Sequence, residues 1–214
     1  IDRDYIANKI LHGLVVPAEG GGITPALQGH SPTGGFGFDP DRARRLAGEA
    51  AGAEELRKTT FRAIARRLDE PVARYMADTW ESVLGVTIRL EFLGRREFLE
   101  QAVAAQRPDI LIGYTRSSDL DPLPSVGPNL LDAIVGSATS PGSDDIPTAV
   151  ASIPSGAKEY LGMLRRLDLK HVHQAWKFPF CYRPFYMLQR PWVRNLRLAP
   201  EGMMGLEETV VVDH

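Results

Sequence analysis

The feature that most constrains the fold of this sequence is the alternation of strand and helix patterns between residues 59 and 114. Residues 86–92 (VTIRLEF) alternate apolar and polar side chains, which is typical of a half-buried β-strand. Residues 59–65 and 109–114 predict two further strands, and helical spacing fills 68–84 and 95–106 between them. This order predicts an α/β fold, with a mixed, largely parallel sheet that is flanked by helices.

Helices are also predicted outside this central region. An aspartate that can cap a helix precedes each of two early helical patterns, and Gly52 is expected to close the second of them. Residues 16–38, between these helices, are rich in glycine and proline and predict a long loop that is functional or laid over a surface. Residues 156–174 have the apolar spacing of another long helix. Short strands are expected near 193–198 and 209–212.

Composition excludes several classes of function. The formal net charge of the 214 residues is -2, which gives no global attraction to nucleic acid or to an anionic membrane. The single cysteine, Cys181, cannot form an intramolecular disulfide and is expected to be a buried, inert thiol. His171 and His173 are two positions apart, so on a helix they point in different directions. No metal site and no cofactor are therefore expected.

The clearest candidate for a binding site follows the third predicted strand. There the chain leaves an apolar run and enters a loop of small and polar residues. Open α/β sheets place ligand-binding groups at such carboxyl ends. Tyr114 is a candidate for one wall of a pocket, and Arg116 and Asp119 are candidate partners for the charges of a zwitterionic solute. The alternative for these three residues is a tyrosine that ends a core strand and an ordinary solvated loop.

The order of short motifs along the chain resembles family 5 of the extracellular solute-binding proteins. These proteins are the dipeptide-, oligopeptide- and nickel-binding receptors of bacterial ABC importers. The resemblance rests on IDRDYI at residues 1–6, on FDPDRARRL at 38–46, and on Gly113-Tyr114 followed by Asp121-Pro122, and it extends to FPF at 178–180 and VRNL at 193–196. No single piece is specific, but their order over nearly the whole chain is.

The resemblance implies that the chain is the carboxyl-terminal half of such a receptor. Residues 1–190 would form one lobe of the type II periplasmic-binding-protein fold, and residues 191–214 a tail that returns to the missing amino-terminal lobe. It also implies an extracytoplasmic location, periplasmic or as a cell-surface lipoprotein, with a solute and the permease subunits as partners and with no enzymatic activity. In the peptide receptors an aspartate at the position of Ser117 pairs with the amino group of the peptide, and a tryptophan stands at the position of Tyr114. Ser117 thus becomes a fourth candidate ligand-binding residue, but peptide specificity does not carry over.

Two other functions remain open at this point. The lobe could be a ligand-sensing domain fused to a regulatory protein, which a DNA-binding domain upstream in the gene would favour. An α/β hydrolase or transferase is the other alternative, although Ser117 and Ser118 lack the glycines of a nucleophile elbow. As an isolated half-receptor the chain is expected to bind solute weakly, and to expose apolar side chains in its tail.

Overall fold

The computed structural model describes residues 1–50, 52–102, 104, 106–114, 158–175, 177–198 and 204–212. The amino-terminal elements are α1 (Arg3–Tyr5), which continues as a π-helix (Ile6–Ile10), β1 (Val16–Pro17), α2 (Pro40–Glu49) and α3 (Ala53–Lys58). The central elements are β2 (Thr60–Arg66), a 3₁₀ turn (Arg67–Asp69), α4 (Glu70–Leu84), β3 (Thr87–Leu93), α5 (Arg95–Ala102) and β4 (Ile110–Ile112). The later elements are α6 (Lys158–His173), β5 (Cys181–Tyr182), β6 (Val193–Arg194), β7 (Arg197–Leu198), β8 (Met204–Gly205) and β9 (Val210–Val211).

The central sheet has the order β3-β2-β4, and both of its strand pairs are parallel. Ile64 in the middle strand lies beside Glu91 of β3 and Leu111 of β4. The α4 helix connects β2 to β3, as the alternation of patterns predicts, so the α/β fold class is confirmed. The main core joins this sheet to α4 and the amino-terminal helix through six buried side chains: Ile6, Ala65, Val72, Ala73, Met76 and Ile112.

The predicted helix boundaries are mostly confirmed, with one correction at Gly52. Asp39 caps α2 by accepting a hydrogen bond from the Arg42 amide, and Gly85 ends α4 with φ of 69°. Gly52, however, does not close α2, which ends at Glu49. It precedes the unpredicted helix α3 with φ of 84°. The first turn of α3 is acidic and its last turn is basic, so its charges complement the helix dipole. A prediction based on apolar spacing alone does not detect this charge pattern.

The glycine-rich loop is laid over α6, as one of the two predicted possibilities requires. The Arg165 side chain donates to the His30 carbonyl at 2.7 Å, and the His173 ring lies 2.7 Å from the Gly34 carbonyl. A further attachment is what we call the loop clasp, which consists of the backbone of residues 21–23 together with the side chains of Asp168 and Tyr182. The amides of Gly22 and Ile23 donate to the Asp168 carboxylate, and the Tyr182 hydroxyl donates to the Gly21 carbonyl. The loop therefore belongs to the scaffold of this part of the molecule.

The strands of the tail pair with each other. Val193 lies opposite Val211, and Arg197 lies opposite Gly205, in two antiparallel pairs. Asn195, with φ of 58°, separates the two strands that the sequence suggested as one. The exposed apolar side chains expected in the tail are present at Leu198, Met204, Leu206, Val210 and Val211. Across the described parts of the chain, no helix combines the length and the apolar character needed to span a membrane.

Candidate functional site

A polar cluster forms at the carboxyl edge of the central sheet. The β2 strand ends at Arg66, and the adjacent β4 strand ends at Ile112. Ile112 lies beside Ala65, the residue before Arg66, so the two strands end at nearly the same level. The 3₁₀ turn after β2 then places Asp69 beside Arg66, and Tyr114 follows β4 by two residues. We call Arg66, Asp69, Tyr114 and Arg183 the edge cluster. Because β2 and β4 are parallel neighbours, both strands deliver side chains to the same edge.

Asp69 is the buried centre of the edge cluster, with only 2% of its surface exposed. Its Oδ2 atom accepts hydrogen bonds from Nε and Nη2 of Arg66, at 2.9 Å and 2.6 Å. Its Oδ1 atom accepts a third from Nη2 of Arg183, at 3.0 Å. Each carboxylate oxygen therefore holds a different guanidinium group, and charged partners compensate for the burial of the aspartate.

The ring of Tyr114 packs against both arginines. The guanidinium carbon of Arg66 lies 3.9 Å from the ring centroid, and that of Arg183 lies 4.9 Å from it. These are cation–π distances, so the ring helps to fix the orientation of the two planar cations. Tyr114 nevertheless remains 48% exposed, which leaves part of it open to a ligand.

Neighbouring groups in the edge cluster shift the pKa values of two of its members, Tyr114 and Arg66. Interaction of the Tyr114 hydroxyl with the Arg66 guanidinium lowers the pKa of Tyr114, through hydrogen bonding first and through charge second. Burial alone lowers the pKa of Arg66, but Tyr114 and Asp69 together outweigh it and the net direction is upward. Arg66 thus stays charged, and the phenol of Tyr114 is more acidic than usual.

Arg183 reaches the cluster from a distant part of the sequence. It directly follows β5, whose pairing with β1 fixes the path of the chain there. The neighbouring Cys181 is half-buried, and burial raises the pKa of its thiol above the ordinary value. This agrees with the prediction of an inert cysteine, because a thiol that stays protonated is a poor nucleophile.

The sequence-based candidates divide into one residue inside the described structure and three outside it. Tyr114 lies in the edge cluster, while Arg116, Ser117 and Asp119 lie outside the described residues. Sequence reasoning missed Arg66, Asp69 and Arg183. The rule that drew attention to the end of β4 applies equally to the end of β2, and would have found Arg66 and Asp69. Arg183 lies more than a hundred residues away and carries no local signal.

A metal centre is not visible in the described ranges, where no group of three histidine, cysteine, aspartate or glutamate residues is placed to hold an ion. His173 is instead engaged with the Gly34 carbonyl and the Phe36 ring, at a centroid distance of 5.2 Å for the latter. The chemistry of the edge cluster is that of two fixed cations, one carboxylate and an aromatic hydroxyl. Such a set suits recognition of a polar ligand by hydrogen bonds and charge.

Comparison with protein-family models decides the family. The model described as "Bacterial extracellular solute-binding proteins, family 5 Middle" matches residues 1–136, which is more than half of the chain. The chain belongs to this family. The resemblance inferred from the order of motifs in this family 5 protein is thereby confirmed. A comparison with curated protein sequences gives no significant match.

Solved structures confirm the type II binding-protein fold of this family 5 member. A dipeptide-binding protein from Pseudoalteromonas sp. SM9913, in complex with Met-Leu, matches 99% of the chain with a TM-score of 0.73 and 18% identity. NikA from Staphylococcus aureus, in complex with Ni(L-His)2, matches 99% with a TM-score of 0.68 and 15% identity. An oligopeptide-binding protein from Borrelia burgdorferi matches 82% with a TM-score of 0.67 and 14% identity. The chain spans 43%, 46% and 36% of these three structures, respectively.

Proposed function

We propose that this chain is one lobe of an extracytoplasmic receptor that binds a small polar solute, such as a peptide, and delivers it to the permease of a bacterial ABC importer. The observation that carries the proposal is the position of the edge cluster. It gathers charged and aromatic side chains at the carboxyl ends of two parallel strands, which is where open α/β sheets bind ligands. The candidates Arg116, Ser117 and Asp119 follow Tyr114 directly in the sequence, and we propose that they contribute to the same surface.

The proposal includes a second lobe, supplied by sequence beyond this chain. Each of the three solved structures is more than twice as long as the segment that the chain matches. In a two-lobed receptor, residues 1–190 form one lobe and residues 191–214 cross to the other lobe. The exposed apolar side chains of β7, β8 and β9 support this, because an apolar surface of that kind favours association with another surface. Closure of the two lobes then encloses the solute.

We propose binding without catalysis for the edge cluster. Asp69 would be the general base of the described cluster, but two guanidinium groups engage both of its oxygens. Cys181 would be the nearby nucleophile, but burial raises its pKa. These groups are therefore arranged to hold charge in place, and proton transfer or attack on a substrate is disfavoured.

Calorimetry on the full-length protein, as its gene encodes it, tests this function. The titrants are a library of amino acids, dipeptides and tripeptides, and we expect micromolar or tighter binding of at least one class. The 214-residue chain alone is expected to bind the same solute weakly or not at all, because a single lobe cannot exclude water from the bound solute. Equally tight binding by the isolated chain as a monomer would contradict the half-receptor proposal. Turnover of an ester or peptide substrate that depends on Asp69 would contradict the binding role.

A further inference from the structure

A short piece of chain connects the loop clasp to the edge cluster. Tyr182, which belongs to the loop clasp, is directly followed by Arg183, which belongs to the edge cluster. We call residues 178–183, which include β5, the linking segment. The Cα atoms of neighbouring residues are about 3.8 Å apart, so a displacement of Tyr182 is passed on directly to the backbone of Arg183.

The central sheet does not hold the linking segment by strand pairing. In the part of the chain that the structure describes, β5 pairs only with β1, and this two-stranded sheet is separate from the sheet of β2, β3 and β4. A pair of such short strands is too small to be stable by itself. The position of Arg183 therefore depends on the other contacts that the linking segment makes.

The glycine-rich loop supplies such contacts near the carboxyl end of the linking segment. The buried hydroxyl of Tyr182 donates to the Gly21 carbonyl at 2.6 Å, and the Tyr182 ring packs edge-on against the His30 ring at a centroid distance of 5.6 Å. The amide of Ala18 donates to the Phe180 carbonyl at 3.2 Å. A buried hydroxyl that loses its partner costs free energy, so these contacts keep the tyrosine in one place.

Arg3 holds the amino end of the linking segment. Its Nε atom donates to the Pro179 carbonyl at 3.0 Å, and its Nη1 atom donates to the Phe36 carbonyl at 2.6 Å. Its guanidinium carbon also lies 4.5 Å from the centroid of the Phe178 ring. This buried guanidinium therefore ties the linking segment to the far end of the glycine-rich loop.

Arg183 has two contacts to keep on the side of the edge cluster. Its Nη2 atom donates to Oδ1 of Asp69 at 3.0 Å, and its guanidinium carbon lies 4.9 Å from the centroid of the Tyr114 ring. Hydrogen bonds of this kind have a narrow range of length. A shift of the linking segment by roughly 1 Å is therefore enough to break the hydrogen bond or to change the packing on the ring.

We infer that Tyr182 is a positioning residue for the solute site, and that it acts through the linking segment on Arg183. Arg3 has the same role at the other end of the segment. Neither residue contacts the solute. The inference rests on the proposed function, because it requires that the edge cluster takes part in solute binding. Side chains that are fixed before the solute arrives lose less conformational entropy on binding, so the glycine-rich loop contributes to affinity from a distance.

The first test measures the contact between Arg183 and Asp69 without any solute. A double-mutant cycle of D69A and R183Q, measured by urea unfolding of the full-length protein, gives the coupling between the two positions. The cycle is then repeated with Y182F in every member, which removes only the hydroxyl group. We expect the coupling to fall by half or more. A merely structural role of the hydroxyl would lower the stability of all members equally and leave the coupling unchanged.

The matched control is Y186F, which removes the same group from a tyrosine on the other side of Arg183. Tyr186 also donates to a backbone carbonyl, that of Leu14 at 3.0 Å, but its side chain is exposed. This variant is expected to leave the coupling unchanged. R3K keeps the charge of Arg3 but not the planar fork that reaches two carbonyls, so it should lower the coupling. It serves in place of Y182F if that variant does not fold.

Calorimetry on the full-length protein tests the consequence for binding. The probes are the amino acids, dipeptides and tripeptides of the library, and the member that binds the wild type most tightly is compared across the variants. We expect roughly fivefold weaker binding in Y182F, which corresponds to the loss of one hydrogen bond, and unchanged binding in Y186F.

Undiminished coupling in both Y182F and R3K, or unchanged affinity in both, would overturn the inference while leaving the proposed function in place. Failure of the wild type to bind any member of the library would remove the proposed function and the inference together.

Discussion

Two buried aspartates, Asp69 and Asp168, organise two different regions of this molecule. Asp168 is 1% exposed and accepts hydrogen bonds from the backbone amides of Gly22 and Ile23, at 2.7 Å and 3.1 Å. Asp69 is 2% exposed and accepts hydrogen bonds only from arginine side chains among the residues described. Equal burial thus serves two different kinds of partner.

The type of hydrogen-bond donor around each aspartate distinguishes the structural region from the candidate binding site. Backbone amides cannot turn away from Asp168, and no Cβ fits at Gly21, where it would lie 1.8 Å from Oδ2 of that aspartate. The loop clasp is therefore fixed by main-chain geometry. Two guanidinium groups face the single carboxylate of Asp69, and their side chains are 15% and 34% exposed, so they can also serve a ligand. Burial of a carboxylate alone does not identify a functional site, but the identity of its donors does.

The largest effect is expected from D168A. This variant leaves the buried N–H group of Ile23 and the partly buried N–H group of Gly22 without their acceptor. We expect it to lower the free energy of unfolding by roughly 3 kcal/mol. Urea unfolding followed by circular dichroism measures the change. E100Q, which breaks the exposed pair of Arg96 and Glu100, is the control and should leave stability unchanged within error. A loss below about 1 kcal/mol in D168A would mean that the loop clasp is not structural.

G21A probes the loop clasp without removing any hydrogen-bonding group. The added methyl displaces the Asp168 carboxylate or the loop, and overpacking of this kind lowers stability by roughly 2 kcal/mol. G48A is the matched control, because nothing lies within 4 Å of a Cβ there and the position is inside α2. Alanine in a helix is favoured over glycine, so G48A should raise the melting temperature while G21A lowers it. The same sign for both would contradict the clasp geometry.

D69A is expected to have a smaller effect on stability than D168A. Arg66 and Arg183 are partly exposed and can turn toward water when their partner is lost, so we expect a decrease of about 1–2 kcal/mol. A double-mutant cycle with R183Q should show coupling between the two positions. If D69A destabilised the protein more than D168A, the edge cluster would be the scaffold and the distinction between the two regions would fail.

The two regions also contain tyrosines whose pKa values shift in opposite directions. Burial first, and the charge of Asp168 second, raise the pKa of Tyr182 from 10.0 to about 12, while the pKa of Tyr114 is lowered mainly by Arg66. The titration of the tyrosine hydroxyls can be followed by absorbance at alkaline pH. The titration curve should lose its component near pH 12 in Y182F. In Y114F it should lose the component that titrates below the ordinary pKa of tyrosine.

The sign of the effect of Tyr182 on stability follows from the same shift. The folded protein keeps the proton of Tyr182 up to about pH 12, whereas the unfolded chain releases it near the ordinary value of 10.0. The contribution of Tyr182 to the free energy of unfolding is therefore fully present below pH 10, and it declines as the pH rises toward 12. Urea titrations across this window should show a shallower decline in Y182F than in the wild type. An identical decline in both proteins would contradict the burial of this hydroxyl.

The sequence predicted the sheet better than it predicted the site. Residues 86–92 and 109–114 form local patterns of apolar side chains, and such patterns depend only on neighbours in the sequence. Tyr114 was found because it lies at the end of a predicted strand, 109–114. Asp69 looks in sequence like an ordinary helix-start residue, and only the folded chain shows that it joins Arg66 to Arg183. The loop clasp is equally non-local, since Asp168 is separated from Gly22 by 146 positions.

The most direct test of the central claim is a crystal structure of the full-length protein with the solute that binds it most tightly in calorimetry. The account predicts that solute atoms contact Tyr114 or Arg183 at the carboxyl edge of the sheet. It also predicts that Asp69 still holds both arginines, and that the loop clasp is unchanged. A solute bound at another surface, with Tyr114 and Arg183 in contact only with protein and water, would contradict it.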